Sequence, residues 1–136
     1  TLILGKNTYY NDPEEGYEII LNLSPEDVDH LIKAKNALTD VNNMLITTTK
    51  DFDNNDVCEF IFGDSTGYSN KISYQMNGNI KETGISIPYD SDIFKDILNS
   101  NKDQTSGVLS LSKQGMLKLN FSSENIYSEY YIARNE

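Results

Sequence analysis

Positive charge is scarce in this chain. Eleven Lys and Arg stand against twenty-one Asp and Glu in 136 residues, a formal net charge of −10. Proteins that coat nucleic acid normally need a basic footprint, so this balance makes the chain a poor candidate for coating. It leaves room only for a surface on which a few cations gather. Cysteine is scarcer still. Cys58 stands alone, which excludes an internal disulfide and fits a reducing compartment. Long apolar runs are missing, and none approaches the ~20 residues that span a bilayer as a helix. No charged–apolar–small leader opens the chain, and Thr1 in place of Met is expected of a piece of a longer protein. Histidine occurs once, as His30, with no Cys or carboxylate cluster spaced for a metal, so a surface histidine is the expectation. There is no Gly-rich phosphate cradle, and no nucleophile elbow or activated Ser. Neither an enzyme nor a cofactor is implied, and the expectation is a binding or structural protein.

What is present begins with Asn22 to Asp40, NLSPEDVDHLIKAKNALTD. Ser24 can cap the first free amides of a helix. Pro25 suits the first helical position, and Glu26 and Asp27 set negative charge on the positive end of the dipole. Val28, Leu31, Ile32 and Leu38 form one stripe at helical spacing. The strand YEIILNL, Tyr17 to Leu23, precedes it. The same phrase returns in GISIPYDSDIFKDILNS, Gly84 to Ser100. A shift of 66 residues pairs Ile19 with Ile85, Leu21 with Ile87, Ser24 with Asp90, Val28 with Phe94, Leu31 with Ile97 and Ile32 with Leu98. A strand–helix unit repeated within one chain predicts internal twofold pseudosymmetry.

Between and after the helices the chain reads as strands. They are MLITTT (Met44 to Thr49), VCEFIF (Val57 to Phe62), KISYQM (Lys71 to Met76), Ile80 to Tyr89, VLSLS (Val108 to Ser112), MLKLNFS (Met116 to Ser122) and IYSEYYIA (Ile126 to Ala133). Asn77-Gly78 predicts a type I′ hairpin, and Gln114-Gly115 and Glu124-Asn125 predict turns. Thr1 to Leu4 is a short apolar run, and residues 5–16 read as a polar connector. The order is βαβββ twice, with pseudo-halves about 17–77 and 80–134. This is an α+β domain in which two helices cover one face of a curved antiparallel sheet.

Two patterns invite a ligand. Asp51, Asp53, Asn55 and Glu59 open like a calcium loop, but Asp56 and Phe62 stand where Gly and Glu are needed. A solvated hairpin turn is the reading, and no metal is expected. The lysines are more informative. Lys95, Asn99 and Lys102 are spaced i, i+4, i+7 opposite Phe94, Ile97 and Leu98. His30 and Lys33 lie on the polar face of the first helix, and Lys35 sits beside the stripe and is expected to snorkel outward. An ordinary solvated helix face is the alternative, since Asp29, Asp40, Asp92 and Asp96 share it.

These residues resemble a known family, the DNA sliding clamps, which are the processivity factors of replicative polymerases. EIILNLSPEDVDHLIKAKNAL resembles the entry to the C-terminal domain of the T-even-type bacteriophage clamp. VLSLSKQGMLKLNFSSENIYSEYYIARNE is similar to the closing strands of proliferating-cell nuclear antigen, which end Tyr-Tyr-Leu-Ala-Pro. Here the run is Tyr130-Tyr131-Ile132-Ala133-Arg134, so the proline is missing. The resemblance covers about residues 17–134 and is one domain long, where a clamp subunit has two or three.

The resemblance implies a DNA-clamp fold and no enzyme. Residues 1–16 would be the interdomain connector and the end of a missing domain. Helices lining a hole would face double-stranded DNA, without reading sequence, through Lys33, Lys35, Lys95 and Lys102, with His30. A peptide of the replicative polymerase or clamp loader would dock at Met116, Tyr131 and Ala133, with Tyr9 and Tyr10 on the connector. A plain strand tyrosine is the other reading of Tyr131. Edge pairing through Asn70 to Met76, with Lys71, Ser73 and Gln75, would close a ring, a trimer in the full-length protein. The expected place is the cytoplasm, that of the host if the protein is phage-encoded, with no membrane partner. The competing reading is an acidic α+β ligand-binding or adhesion module with no DNA role.

Overall fold

The computed structural model describes residues 3–4, 16–38, 41–63 and 71–135. Ten strands and two helices follow in the order β1 (Ile3–Leu4), β2 (Ile19–Leu23), α1 (Pro25–Asn36), β3 (Asn43–Lys50), β4 (Asp56–Gly63), β5 (Lys71–Met76), β6 (Asn79–Ile80), β7 (Ser86–Asp90), α2 (Ser91–Ser100), β8 (Ser106–Leu111), β9 (Leu117–Ser123) and β10 (Ile126–Ile132). With the two-residue strands β1 and β6 set aside, this is βαβββ twice. All pairing is antiparallel, and the strands divide into two sheets. One has the order β1-β10-β9-β8-β2-β6 and the other β5-β4-β3-β7.

The two halves exchange their first strands. β2 leaves its own half and pairs with β8, Ile19 opposite Leu111 and Leu21 opposite Leu109. β7 pairs with β3 of the first half, Ile87 opposite Ile46 and Tyr89 opposite Met44. Each meander, β3-β4-β5 or β8-β9-β10, is therefore completed by the strand that leads into the other half's helix. The exchange explains a departure from the sequence reading. Asn77-Gly78 makes no hairpin, because neither residue has the positive φ that a type I′ turn requires. The chain instead crosses from one sheet to the other at this point. Ile80 to Tyr89 is accordingly not one strand but β6, paired with β2, and β7, paired with β3. Gly78 is needed for close approach. A Cβ there would collide with the Leu21 side chain and come within 2.9 Å of the Ile20 carbonyl oxygen.

The helix starts form as their residues dictate. The Ser24 hydroxyl accepts from the Asp27 amide at 3.0 Å, and the Asp27 carboxylate accepts from the Ser24 amide at 3.0 Å, a reciprocal capping box with Pro25 at the first helical position. Asp90 caps α2 by accepting from the amides of Asp92 and Ile93. The 66-residue register holds in the core. Ile19 and Ile85, Leu21 and Ile87, Val28 and Phe94, and Leu31 and Ile97 are all buried, while Leu98 is buried and Ile32 partly so. Phe60 and Phe94 stack within this core, ring centroids 6.0 Å apart. Cys58 is fully buried in it, and burial pushes its thiol up to about 12. Among the described residues no helix is long and apolar enough to cross a membrane.

Candidate nucleic-acid interface

The two helices lie against each other, and a cation ties them. Lys35 is buried, with its ammonium 3.1 Å from the Asp92 carboxylate in the first turn of α2. The sequence reading sent this side chain outward to solvent. The structure sends it sideways, because the neighbouring helix supplies a carboxylate within its reach. The Lys35 side chain is only 5% exposed, so it is an inter-helix tie and not a group offered to a ligand.

Lys33 is different. It pairs with Asp29 one turn earlier at 2.9 Å, and the two side chains are 73% and 57% exposed. Longer-range charge also acts on Asp29. Its carboxyl is held below the usual carboxylate range, first by the hydrogen bond from Lys33, and then by the Lys33, His30 and Lys102 charges. Lys33 and His30 belong to α1, whereas Lys102 follows α2. Lys95 is half-buried on α2, and neither it nor Lys102 forms an ion pair among the described residues. Glu26, Asp92 and Asp96 are exposed on the same two helices, so the layer carries mixed charge.

His30 is exposed and also leans on the edge of a sheet. Its ring lies 5.5 Å from that of Tyr74 on β5, tilted by 54°, and Nδ1 is 3.3 Å from the Tyr74 hydroxyl. That hydroxyl donates to Asp27 Oδ1 at 2.7 Å. Burial alone would raise the Asp27 carboxyl, but the bonds from Tyr74 and Ser24, with the His30 charge, outweigh it and hold it low. Burial and the adjoining Asp27 push Tyr74 up to about 12. The capping box of α1 is thus fastened to β5 by a contact that no local sequence pattern announces.

β5 is an edge strand. It pairs only with β4 among the described residues, and Lys71, Ser73 and Gln75 alternate on its exposed face. Gln75 donates to Glu59 at 3.3 Å. Asn70 lies outside the described residues. Along β10, β1 pairs with Tyr131 and Ile132, and β9 pairs with Ile126 to Ile132.

Met116, Tyr131 and Ala133 come together at one end of the larger sheet, flanking the Leu117–Ile132 pair. Alternation puts them on the face opposite the buried Leu117 and Ile132. Tyr131 is buried, Met116 half-buried and Ala133 exposed. The same face holds a cluster that the sequence did not reveal. The Lys118 ammonium lies 5.7 Å from the Tyr17 ring and 5.8 Å from the Tyr131 ring, and 3.6 Å from Glu129. The hydroxyls of Tyr127 and Tyr131 both donate to Glu129. Cross-strand register brings these groups side by side, which explains why linear spacing hid them. Tyr9 and Tyr10 lie outside the described residues, as does the connector over residues 5–15.

The Asp51 loop serves its own turn. Its carboxylate accepts from the amides of Asp53 and Asn55 at 2.9 Å each, and Lys50 pairs with Asp56 at 2.7 Å. Among the described residues no group of His, Cys, Asp and Glu is arranged to hold a metal ion.

No family model and no curated protein matches this sequence. Solved structures do match. Proliferating cellular nuclear antigen from Entamoeba histolytica superposes with a TM-score of 0.65 at 19% identity, over 93% of this chain and 49% of that one. The same fold underlies both. This chain has a sliding-clamp fold. The Helicobacter pylori β clamp, solved in complex with 5-chloroisatin, matches it with a TM-score of 0.59 at 14% identity, over 93% of this chain and 36% of that one. The same clamp bound to a DNA ligase peptide matches with a TM-score of 0.57 at 15% identity, over 93% and 34%. The chain therefore spans half or less of the length of these clamps. At such identities the likeness is one of fold.

Proposed function

We propose that this chain is a domain of a DNA polymerase processivity factor, a sliding clamp that encircles duplex DNA and tethers the replicative polymerase. What supports the reading most is the clamp fold itself, whose two repeat-related helices are tied together by Lys35 and Asp92 and carry Lys33 and Lys95 on an acidic protein. Long-range attraction between ammonium groups and phosphates needs no base contact. A face carrying few cations, offset by acids, holds a duplex loosely enough to slide. Lys33, Lys95, Lys102 and His30 are the DNA-facing set. Lys35 is left out because it is consumed between the helices.

The remaining parts follow the same reading. Residues 1–16 join this domain to a preceding one, and residues 17–136 are the clamp domain with its two pseudo-halves. The edge of β5 pairs with an edge of another domain, closing a ring that is a trimer in the full-length protein. A peptide of the polymerase or clamp loader docks at Met116, Tyr131 and Ala133, with Tyr9 and Tyr10 contributed by the connector. The family within the clamps is the T-even-type phage one, acting in the host cytoplasm.

The test is charge reversal of Lys33, Lys95 and Lys102 to Glu in the protein that carries this domain. Product lengths are then compared on a primed template with its polymerase. The expected result is loss of long products with an unchanged circular dichroism spectrum. Long products from the folded triple variant would overturn the proposal.

A further inference from the structure

The two ion pairs of the helix layer differ in one property. Lys35–Asp92 is closed off, because the lysine is buried. Lys33–Asp29 stands in solvent, with both partners more than half exposed. An exposed i,i+4 pair is weak and exchanges partners readily. A carboxylate placed in this way holds the Lys33 ammonium where a phosphate oxygen would make the same contact.

We infer that Asp29 is a built-in competitor for the DNA phosphate, a carboxylate that occupies Lys33 until a duplex displaces it. The inference rests on the sliding-clamp reading and deepens it. Binding is then an exchange of one anion for another. Lys33 gives up Asp29 to take a phosphate, and Asp29 is left beside the duplex and opposes its approach. The outcome is a hold weaker than the number of lysines implies. That suits a protein which must stay on DNA without gripping any one site. Lys95, which has no carboxylate partner among the described residues, pays no such exchange.

The test uses the chain as it stands, with a short mixed-sequence duplex titrated at low and moderate salt while backbone and lysine resonances are followed. Four proteins are compared: the parent, Asp29→Asn, Lys33→Met and the double variant. Asp29→Asn is expected to bind about two- to fivefold more tightly at low salt, with a steeper dependence of affinity on salt. In the Lys33→Met background the same substitution should gain much less, because the cation it would free is gone. A parent that binds while Asp29→Asn leaves affinity and salt slope unchanged overturns this inference and leaves the clamp reading standing. So does an equal gain with and without Lys33, which would make Asp29 only one more distant charge. Absence of binding by both parent and Asp29→Asn overturns the clamp reading, and this inference falls with it.

Discussion

Lys33 and Lys35 are two positions apart on one helix and have opposite fates. Lys33 points to solvent, while Lys35 lies in the helix–helix seam with its ammonium on Asp92. The sequence placed Lys35 correctly beside the apolar stripe. It could not give the direction of the side chain, because Asp92 belongs to the other half of the chain. Lys35→Ala removes both the buried stem and the ion pair, and should cost about 1–3 kcal/mol in urea unfolding. Lys35→Met keeps the stem and should recover most of that loss. Equal losses for the two variants would show that the charge, and not the packing, matters. Ala133 offers a second residue-scale test. It is exposed, so Ala133→Glu should leave the melting temperature unchanged. It should weaken binding of a polymerase-derived peptide about tenfold, as loss of one well-packed interface contact does. Unchanged peptide affinity would remove Ala133 from the docking site.

The helices were the most legible elements. Ser24, Pro25, Asp27 and Asp90 act locally, and each does in the structure what its neighbours dictate. Ser24→Ala and Asp90→Ala should each cost about 1 kcal/mol, measured by denaturant unfolding. Asn77-Gly78 was misread because a dipeptide cannot report that its glycine must pack on Leu21 in another sheet. Gly78→Ala should therefore destabilise strongly, whereas a substitution at a true hairpin glycine would mainly strain the turn. The Tyr74–Asp27 bond between β5 and α1 gives a pH dependence. Asp27 is lowered in the folded state, so its contribution is full above the usual carboxylate range and is lost as pH falls through its folded value, below about 4. Tyr74 is raised to about 12, so its contribution is full below its ordinary value near 10 and is lost as pH rises from about 10 to 12. Tyr74→Phe should flatten the alkaline limb of a stability–pH profile and cost about 1 kcal/mol at neutral pH. An alkaline limb unchanged by that variant would show that the bond plays no part.

At the scale of the molecule, the repeat was visible in the sequence and the exchange of strands was not. The shift that pairs Ser24 with Asp90 and Val28 with Phe94 reports two similar units. It says nothing about which sheet β2 or β7 joins, because an apolar strand looks the same in either. The lysines on the helices could be counted, yet whether the two helices met, and which acids came with them, depended on that exchange. The account as a whole turns on whether the joined helix layer is the surface that meets a duplex. Chemical-shift mapping with a short duplex at low salt addresses this directly. The predicted result is perturbation confined to α1, α2 and the turn through Lys102, fading as salt rises. Perturbation centred on Lys118 and the outer sheet face, or none at any salt, would contradict it.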